Sequence, residues 1–287
     1  FRVEKSKHTL IDMSLVSPQW LHDHLSDPRL VILDATIAKV GGTSSGKEMT
    51  ESIPGAHFFD LKGVFADKQS ELPNTIPSDQ AFTEGCQQIG INADSIIVIY
   101  DRLGIYASPR AWWLLKSMGH PNVQVLDGGF PAWQAAGYET STSKIMSPER
   151  GDFVAKLHKD VVWTAEDILQ NLQKVQAQVL DARSKGRFHA QEPEPRAGLI
   201  GGHIPGSHSL AFTEVLQDGK MRSPKELKMI FADLNLGDQA LVFSCGSGIT
   251  ACIILLAATQ IMDNPMAVYD GSWSEWGLPE RAYPIDQ

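Results

Sequence analysis

Ala240-Leu241-Val242-Phe243-Ser244-Cys245-Gly246-Ser247-Gly248-Ile249-Thr250 reads as a buried strand that ends in a cysteine and turns through two glycines. The Ala-rich apolar stretch from Ala251 to Gln260 follows and reads as a buried helix. Strand end, tight turn and helix N-terminus would ring the Cys245 sulfur with backbone N–H donors. Such a setting favours a thiolate over a thiol and holds an anion beside it. Glycines two apart let the backbone close around the sulfur.

The segment has an earlier counterpart. Ile97-Val98-Ile99-Tyr100-Asp101 aligns with Leu241-Val242-Phe243-Ser244-Cys245, and Val31-Ile32-Leu33-Asp34-Ala35 with Gln178-Val179-Leu180-Asp181-Ala182. Ser52-Ile53-Pro54-Gly55-Ala56 aligns with His203-Ile204-Pro205-Gly206-Ser207, and Val125-Leu126-Asp127-Gly128-Gly129-Phe130 with Val268-Tyr269-Asp270-Gly271-Ser272-Trp273. The blocks keep one order at offsets of 143 to 151 residues, which a duplicated domain explains. The first copy carries Asp101 where the second carries Cys245. Thiol chemistry is therefore expected in the second half alone, with the first half closing one wall of the site.

The strands are continuous apolar runs, the pattern of parallel sheets covered on both faces by helices. The expected fold class is α/β: two tandem domains, each a parallel sheet flanked by helices on both faces, over 1–140 and 158–287. The linker is expected at 141–157, where Thr140 to Arg150 is rich in Ser, Thr and Pro. Ser17 before Pro18 reads as one helix cap, and Thr164 with Asp167 as its counterpart. Sites in such sheets form beyond the carboxyl ends of the strands, where Cys245 lies.

Of 287 residues, 43% are hydrophobic and 21% charged, and the net charge is −9, which argues against nucleic acid or an anionic membrane as partner. No apolar run reaches ~18 residues, so no membrane helix is expected. Phe1 to Asp12 has no signal-peptide core. The three cysteines make no disulfide framework and suit a reducing compartment. The histidines show no zinc-ligand spacing, and no Gly-rich phosphate loop precedes a lysine, so neither metal nor cofactor is expected.

Cys245-Gly-Ser-Gly-Ile-Thr, Asp270-Gly-Ser-Trp-Ser-Glu-Trp and Gly202-His-Ile-Pro-Gly together resemble the two-domain rhodanese-type sulfurtransferase family, over a span from about Leu15 to Trp276. Gly186-Arg187-Phe188 and Glu192-Pro-Glu-Pro-Arg196 place the resemblance on the mercaptopyruvate-using side of that family. It implies tandem rhodanese-like domains and an enzyme that moves sulfur from 3-mercaptopyruvate to Cys245, as a persulfide, and on to a thiol such as thioredoxin or to cyanide, releasing pyruvate. It implies Arg187 and Arg196 as ligands of the donor's carboxylate and carbonyl, a task for which the planar guanidinium fork is suited. The turn formed by Gly246, Ser247, Gly248, Ile249 and Thr250 would hold the thiolate and then the persulfide, with Ser247 as the polar group beside the sulfur. Thr250 is expected to bond back to the turn or cap the helix.

Lowering a thiol pKa by ~2 units raises the thiolate fraction about 25-fold at pH 7 but lowers its nucleophilicity roughly 6- to 10-fold. Donor positioning and enolate stabilisation must therefore carry most of the catalysis. The alternatives are a thiosulfate:cyanide sulfurtransferase and a non-catalytic rhodanese binding module. Thiosulfate-using members carry basic residues at the two positions after the cysteine, here the neutral Gly246 and Ser247. A cysteine phosphatase would need an arginine where Thr250 and Ala251 stand. Mercaptopyruvate-using members often carry a His and an acid proposed to form a proton relay with the turn serine. Asn74 and Lys62 occupy those positions, so no such relay is expected and Asn74 serves at most as a hydrogen-bonding group. Cys86, Cys252, His203, Asp34, Asp181 and the tryptophans at 112, 113, 273 and 276 read as structural. The expected state is a monomer or weak dimer in the cytoplasm, or in mitochondria if a targeting peptide has been removed.

Overall fold

The computed structural model describes residues 14–37, 51–142 and 148–287. The amino-terminal stretch and part of the expected linker lie outside them. The first half builds β1 (Leu15–Val16), α1 (Pro18–Asp23), β2 (Leu30–Asp34), β3 (Ala56–Phe58), α2 (Asp79–Gln88), β4 (Ile96–Tyr100), α3 (Ser108–Ser117), β5 (Val123–Leu126) and α4 (Gly129–Ala135). The second builds β6 (Val162–Trp163), α5 (Ala165–Lys174), β7 (Ala177–Asp181), α6 (Lys185–Phe188), β8 (His208–Ser209), β9 (Leu216–Gln217), β10 (Lys220–Met221), α7 (Pro224–Ala232), β11 (Ala240–Ser244), α8 (Ala251–Thr259), β12 (Met266–Tyr269) and α9 (Ser272–Trp276).

Each half forms a five-stranded sheet. The orders, β1-β5-β4-β2-β3 and β6-β12-β11-β7-β8, are the same permutation. All pairs within these sheets are parallel. The duplication thus holds in topology as well as in sequence. The expected helix caps form: Ser17 accepts from the Trp20 N–H, and Thr164 and Asp167 make a reciprocal capping box.

Successive strand residues point to opposite sheet faces. Ile97, Ile99, Leu241 and Phe243 belong to one large apolar cluster that runs through both halves and includes α3 and α8, which pack on each other. Val98 and Tyr100 face away with Leu21 and Trp133, and Val242 and Tyr269 face away with Ile168, Trp273 and Trp276. Both faces of each sheet are therefore dry, which is why the strands read as unbroken apolar runs. Trp112 and Trp113 pack in the seam between the halves. The carboxyl-terminal part of the expected linker, from Gly151 onward, lies along the first half as an extended strap. There Gly151, Phe153, Lys156 and His158 donate backbone hydrogen bonds to Gln87, Ile91, Met118 and Ser117.

Candidate active site

Cys245 follows β11 at its carboxyl end, as predicted, and is 1% exposed. The turn after it is clamped by the chain entering α9. Trp273 N donates to the Cys245 carbonyl at 2.9 Å, and Ser274 N and Oγ donate to the Gly246 carbonyl at 2.9 and 2.5 Å. Ser272 Oγ accepts from Cys245 N at 3.3 Å and donates to the Tyr269 carbonyl at 2.9 Å. The carbonyls at 245 and 246 are thus held away from the sulfur. The N–H groups of residues 246–250 donate to no protein acceptor among the described residues, so they remain for an anion.

The first half shows what such a turn does with an anion. Asp101 follows β4 as Cys245 follows β11. Its Oδ2 accepts from Tyr106 N, Ala107 N, Ser108 N and Ser108 Oγ at 2.8–2.9 Å, and its Oδ1 accepts from Leu103 N at 2.9 Å. The first copy therefore fills its turn with its own carboxylate. Burial pushes that carboxyl up and the converging N–H donors pull against it.

A cavity of about 230 Å³ opens over Cys245, lined by Arg187, Arg196, Gly246, Ser247, Ile249, Thr250, Arg183 and Tyr106 among others. Most of the residues singled out in the sequence thus meet at one place. Gly248 lies outside the cavity lining, its φ of +77° turning its carbonyl to Arg110 Nη1 at 3.3 Å, while its N–H stays with those of the turn. One residue differs from expectation. Thr250 occupies the helix-cap position but makes no side-chain cap bond, because its backbone is already helical there, so it is a wall residue and not a cap.

Ser247 is 4% exposed. Its Oγ accepts from Arg196 Nη2 and from Asn74 Nδ2, both at 3.1 Å, and Asn74 Nδ2 also lies 3.1 Å from the Ser247 carbonyl. Asn74 of the first half thus braces Ser247 from outside this cavity, while Tyr106 brings the first half into its lining. Arg187 lies against Gly246, where an added Cβ would sit 2.9 Å from its Nη2. Its Nε and Nη2 are engaged by Glu194 at 3.2 and 2.6 Å. Glu194 also takes Arg183 Nη1 at 2.8 Å, and Arg183 returns to Asp181 and the Gly202 carbonyl. Arg183 lies over the Trp273 ring at 4.0 Å.

Sequence reading passed over Glu194, Arg183 and Arg110. Arg110 Nη2 reaches Asp270 Oδ1 at 2.7 Å and the Asn74 carbonyl at 2.6 Å. Asp270 Oδ2 accepts from Ile76 N at 2.8 Å. This buried pair joins the first half to the segment that clamps the Cys245 turn. Arg110 did carry one signal: it is a cation in the first turn of a helix, where the macrodipole disfavours it.

The sulfur of Cys252 sits 3.4 Å from the Gly248 carbonyl, and burial pushes its thiol up to about 12. Burial pushes the Cys86 thiol up as well. Among the described residues no group of His, Cys, Asp and Glu is placed to hold a metal ion. No helix among them is long and apolar enough to cross a membrane.

The rhodanese-like domain family model matches residues 17–136 and again 164–278. The chain belongs to the rhodanese family. This rhodanese is 40% identical over 281 residues to the 3-mercaptopyruvate sulfurtransferase of Rattus norvegicus, covering 94% of this chain and 93% of that one. It is also 39% identical over 279 residues to a thiosulfate sulfurtransferase of Cricetulus griseus, covering 94% and 93%. Its fold superposes on the crystal structure of the 3-mercaptopyruvate sulfotransferase SseA of Escherichia coli with a TM-score of 0.82. Identity there is 32%, over 92% of this chain and 100% of that one. Both parallel α/β domains thus have a solved counterpart, and the chain is a sulfurtransferase.

Proposed function

We propose that this rhodanese takes sulfur from 3-mercaptopyruvate. The observation that carries the reading is the shared cavity: Cys245, Arg187, Arg196 and Ser247 line one space over a neutral turn. The Cys245 thiolate attacks the donor sulfur, the carbon–sulfur bond breaks, and its electron pair leaves on the pyruvate enolate. The thiol proton of the donor goes to the enolate carbon, giving pyruvate and a Cys245 persulfide anion. The N–H groups of residues 246–250 receive that anion, as the first-half turn receives Asp101.

Arg196, held by Ser247, and the Nη1 of Arg187, which Glu194 leaves unused, meet the donor's carboxylate and carbonyl oxygen. Ser247 Oγ already accepts twice, so its own hydrogen is available to the cavity. All these groups come from one chain, so the reading needs no second copy. A thiol takes the sulfur in the second half-reaction. The free, buried cysteines suit a reducing compartment such as the cytoplasm. On this reading 1–140 is a non-catalytic domain, 141–157 a linker and 158–287 the catalytic domain.

A thiosulfate donor is disfavoured because Gly246 and Ser247 bring no charge to a dianion. The deciding experiment compares kcat/KM for 3-mercaptopyruvate and thiosulfate with one acceptor, alongside intact-mass analysis of the donor-treated protein. One added sulfur on the wild type, none on Cys245→Ser and a preference for 3-mercaptopyruvate are expected. A preference for thiosulfate overturns the donor assignment.

A further inference from the structure

A second cavity, of about 350 Å³, adjoins the first. It shares Tyr106, Arg196 and Ile249 with the Cys245 cavity, and the rest of its lining comes from the first half. Lys62, Lys68 and Arg196 line it against one acid, Asp67, which leaves an excess of two positive charges in a chain of net charge −9. Neither lysine makes an ion pair among the described residues. Asp67 is turned into its own loop, where its Oδ1 accepts from Gln69 N. Two uncommitted ammonium groups beside an arginine already in contact with the catalytic turn attract an anion.

The donor does not account for this space, since Arg187 and Arg196 in the first cavity suffice for one carboxylate and one carbonyl. The remaining reactant must approach the persulfide from outside, and the shared wall gives it a route. We propose that this second cavity is an acceptor subsite for a small thiol bearing one or more carboxylates, which Lys62 and Lys68 hold while its sulfur reaches Cys245. The inference rests on the sulfurtransferase reading above. The step is a displacement: the acceptor sulfur bonds to the outer sulfur of the persulfide, the S–S bond breaks, and its electron pair stays on Cys245 as thiolate. The acceptor's thiol proton ends on the new persulfide, so no external oxidant or reductant enters.

The test separates the half-reactions. Wild type and Lys62→Gln/Lys68→Gln are loaded with 3-mercaptopyruvate, desalted, and mixed with mercaptosuccinate, which carries two carboxylates, or with neutral 2-mercaptoethanol. Loss of the added sulfur is followed by intact mass. Each variant-to-wild-type ratio compares one thiol with itself, so differences in thiol pKa cancel. Two screened charge contacts at the usual strength predict a fall of about two- to thirtyfold for mercaptosuccinate. Discharge by 2-mercaptoethanol and loading by the donor should not change, and added salt should shrink the mercaptosuccinate difference. Equal falls for both thiols, or none for mercaptosuccinate, overturn the subsite. Loading that falls as far as discharge assigns the lysines to the donor and also overturns it. If wild type takes no sulfur from 3-mercaptopyruvate, the donor reading fails by itself. The discharge arm then runs on protein persulfidated with inorganic polysulfide, with the same expected ratios.

Discussion

Ser247 carries one proton and two acceptor lone pairs, and Arg196 and Asn74 occupy both lone pairs. The hydroxyl proton is thereby left to the cavity in which the proposed mechanism forms the persulfide. A histidine at position 74 could accept that proton, whereas an amide nitrogen only donates. The contact between Asn74 and Ser247 therefore orients the hydroxyl and does not deprotonate it. Asn74→Ala should lower kcat/KM by less than tenfold, since a neutral hydrogen bond is typically worth about 1 kcal/mol. The kcat/KM profile near pH 6–7 should be unchanged when any one histidine is replaced. An ionisation that vanished with one of them would show that another base had taken the role. Arg196→Ala removes a charged hydrogen bond worth about 1.5–3 kcal/mol and should cost about 10- to 150-fold with 3-mercaptopyruvate. The identities of Cys245, Ser247, Arg187 and Arg196 were legible in the sequence because each lies in a short motif. Glu194 was not, although it sits inside one. A carboxylate in a substrate-anion site reads as misplaced until Arg183 and Arg187 are seen to share it.

The elements around the turn explain a strained residue. Ser272 has a φ of +50°, a conformation that favours glycine, and the matched position in the first half is Gly129, at +55°. The second half tolerates a serine there because its Oγ meets the Cys245 N–H. The two contributions separate by substitution. Ser272→Gly should leave the thermal midpoint nearly unchanged, trading strain for lost anchoring. Ser272→Ala keeps the strain, loses the bond and should be less stable by about 1–2 kcal/mol. Both should slow persulfide formation. An alanine variant as stable as the glycine one would show that Oγ does not anchor the turn.

The first-half turn makes the complementary case. Asp101→Ala leaves the buried N–H donors at 106–108 without their acceptor, at about 1–3 kcal/mol for each group that finds no substitute. Its urea midpoint should fall markedly, while the protein that remains folded keeps its sulfur transfer. Strand positions and parallel pairing were readable from apolar runs. The β9–β10 hairpin was not read, although Asp218 and Gly219 both have positive φ, the turn that an Asp-Gly pair favours. Its strands are two residues each, too short for periodicity to register.

Across the whole molecule, an apolar seam and a polar pair do different things. The shared apolar cluster holds the halves together without fixing their register, because apolar burial is non-directional. Arg110 and Asp270 supply direction. Their pairing at 2.7 Å, with the Asn74 carbonyl and Ile76 N–H on the same groups, sets the first-half loop against the catalytic turn. No sequence window could show this pairing, since the partners lie 160 residues apart. Arg110→Met removes one member of a buried pair and should cost about 3–5 kcal/mol by leaving the Asp270 carboxylate uncompensated. Because the apolar seam remains, unfolding in urea should stay a single transition with unchanged slope and a lower midpoint. Turnover should fall further than stability alone accounts for, even where the variant is fully folded, because Asn74 and the turn lose their common anchor. Asp270→Asn keeps an oxygen for Arg110 and should be milder on both counts. A fully folded Arg110→Met protein with wild-type kcat/KM would mean that the apolar seam alone places the first half against the site.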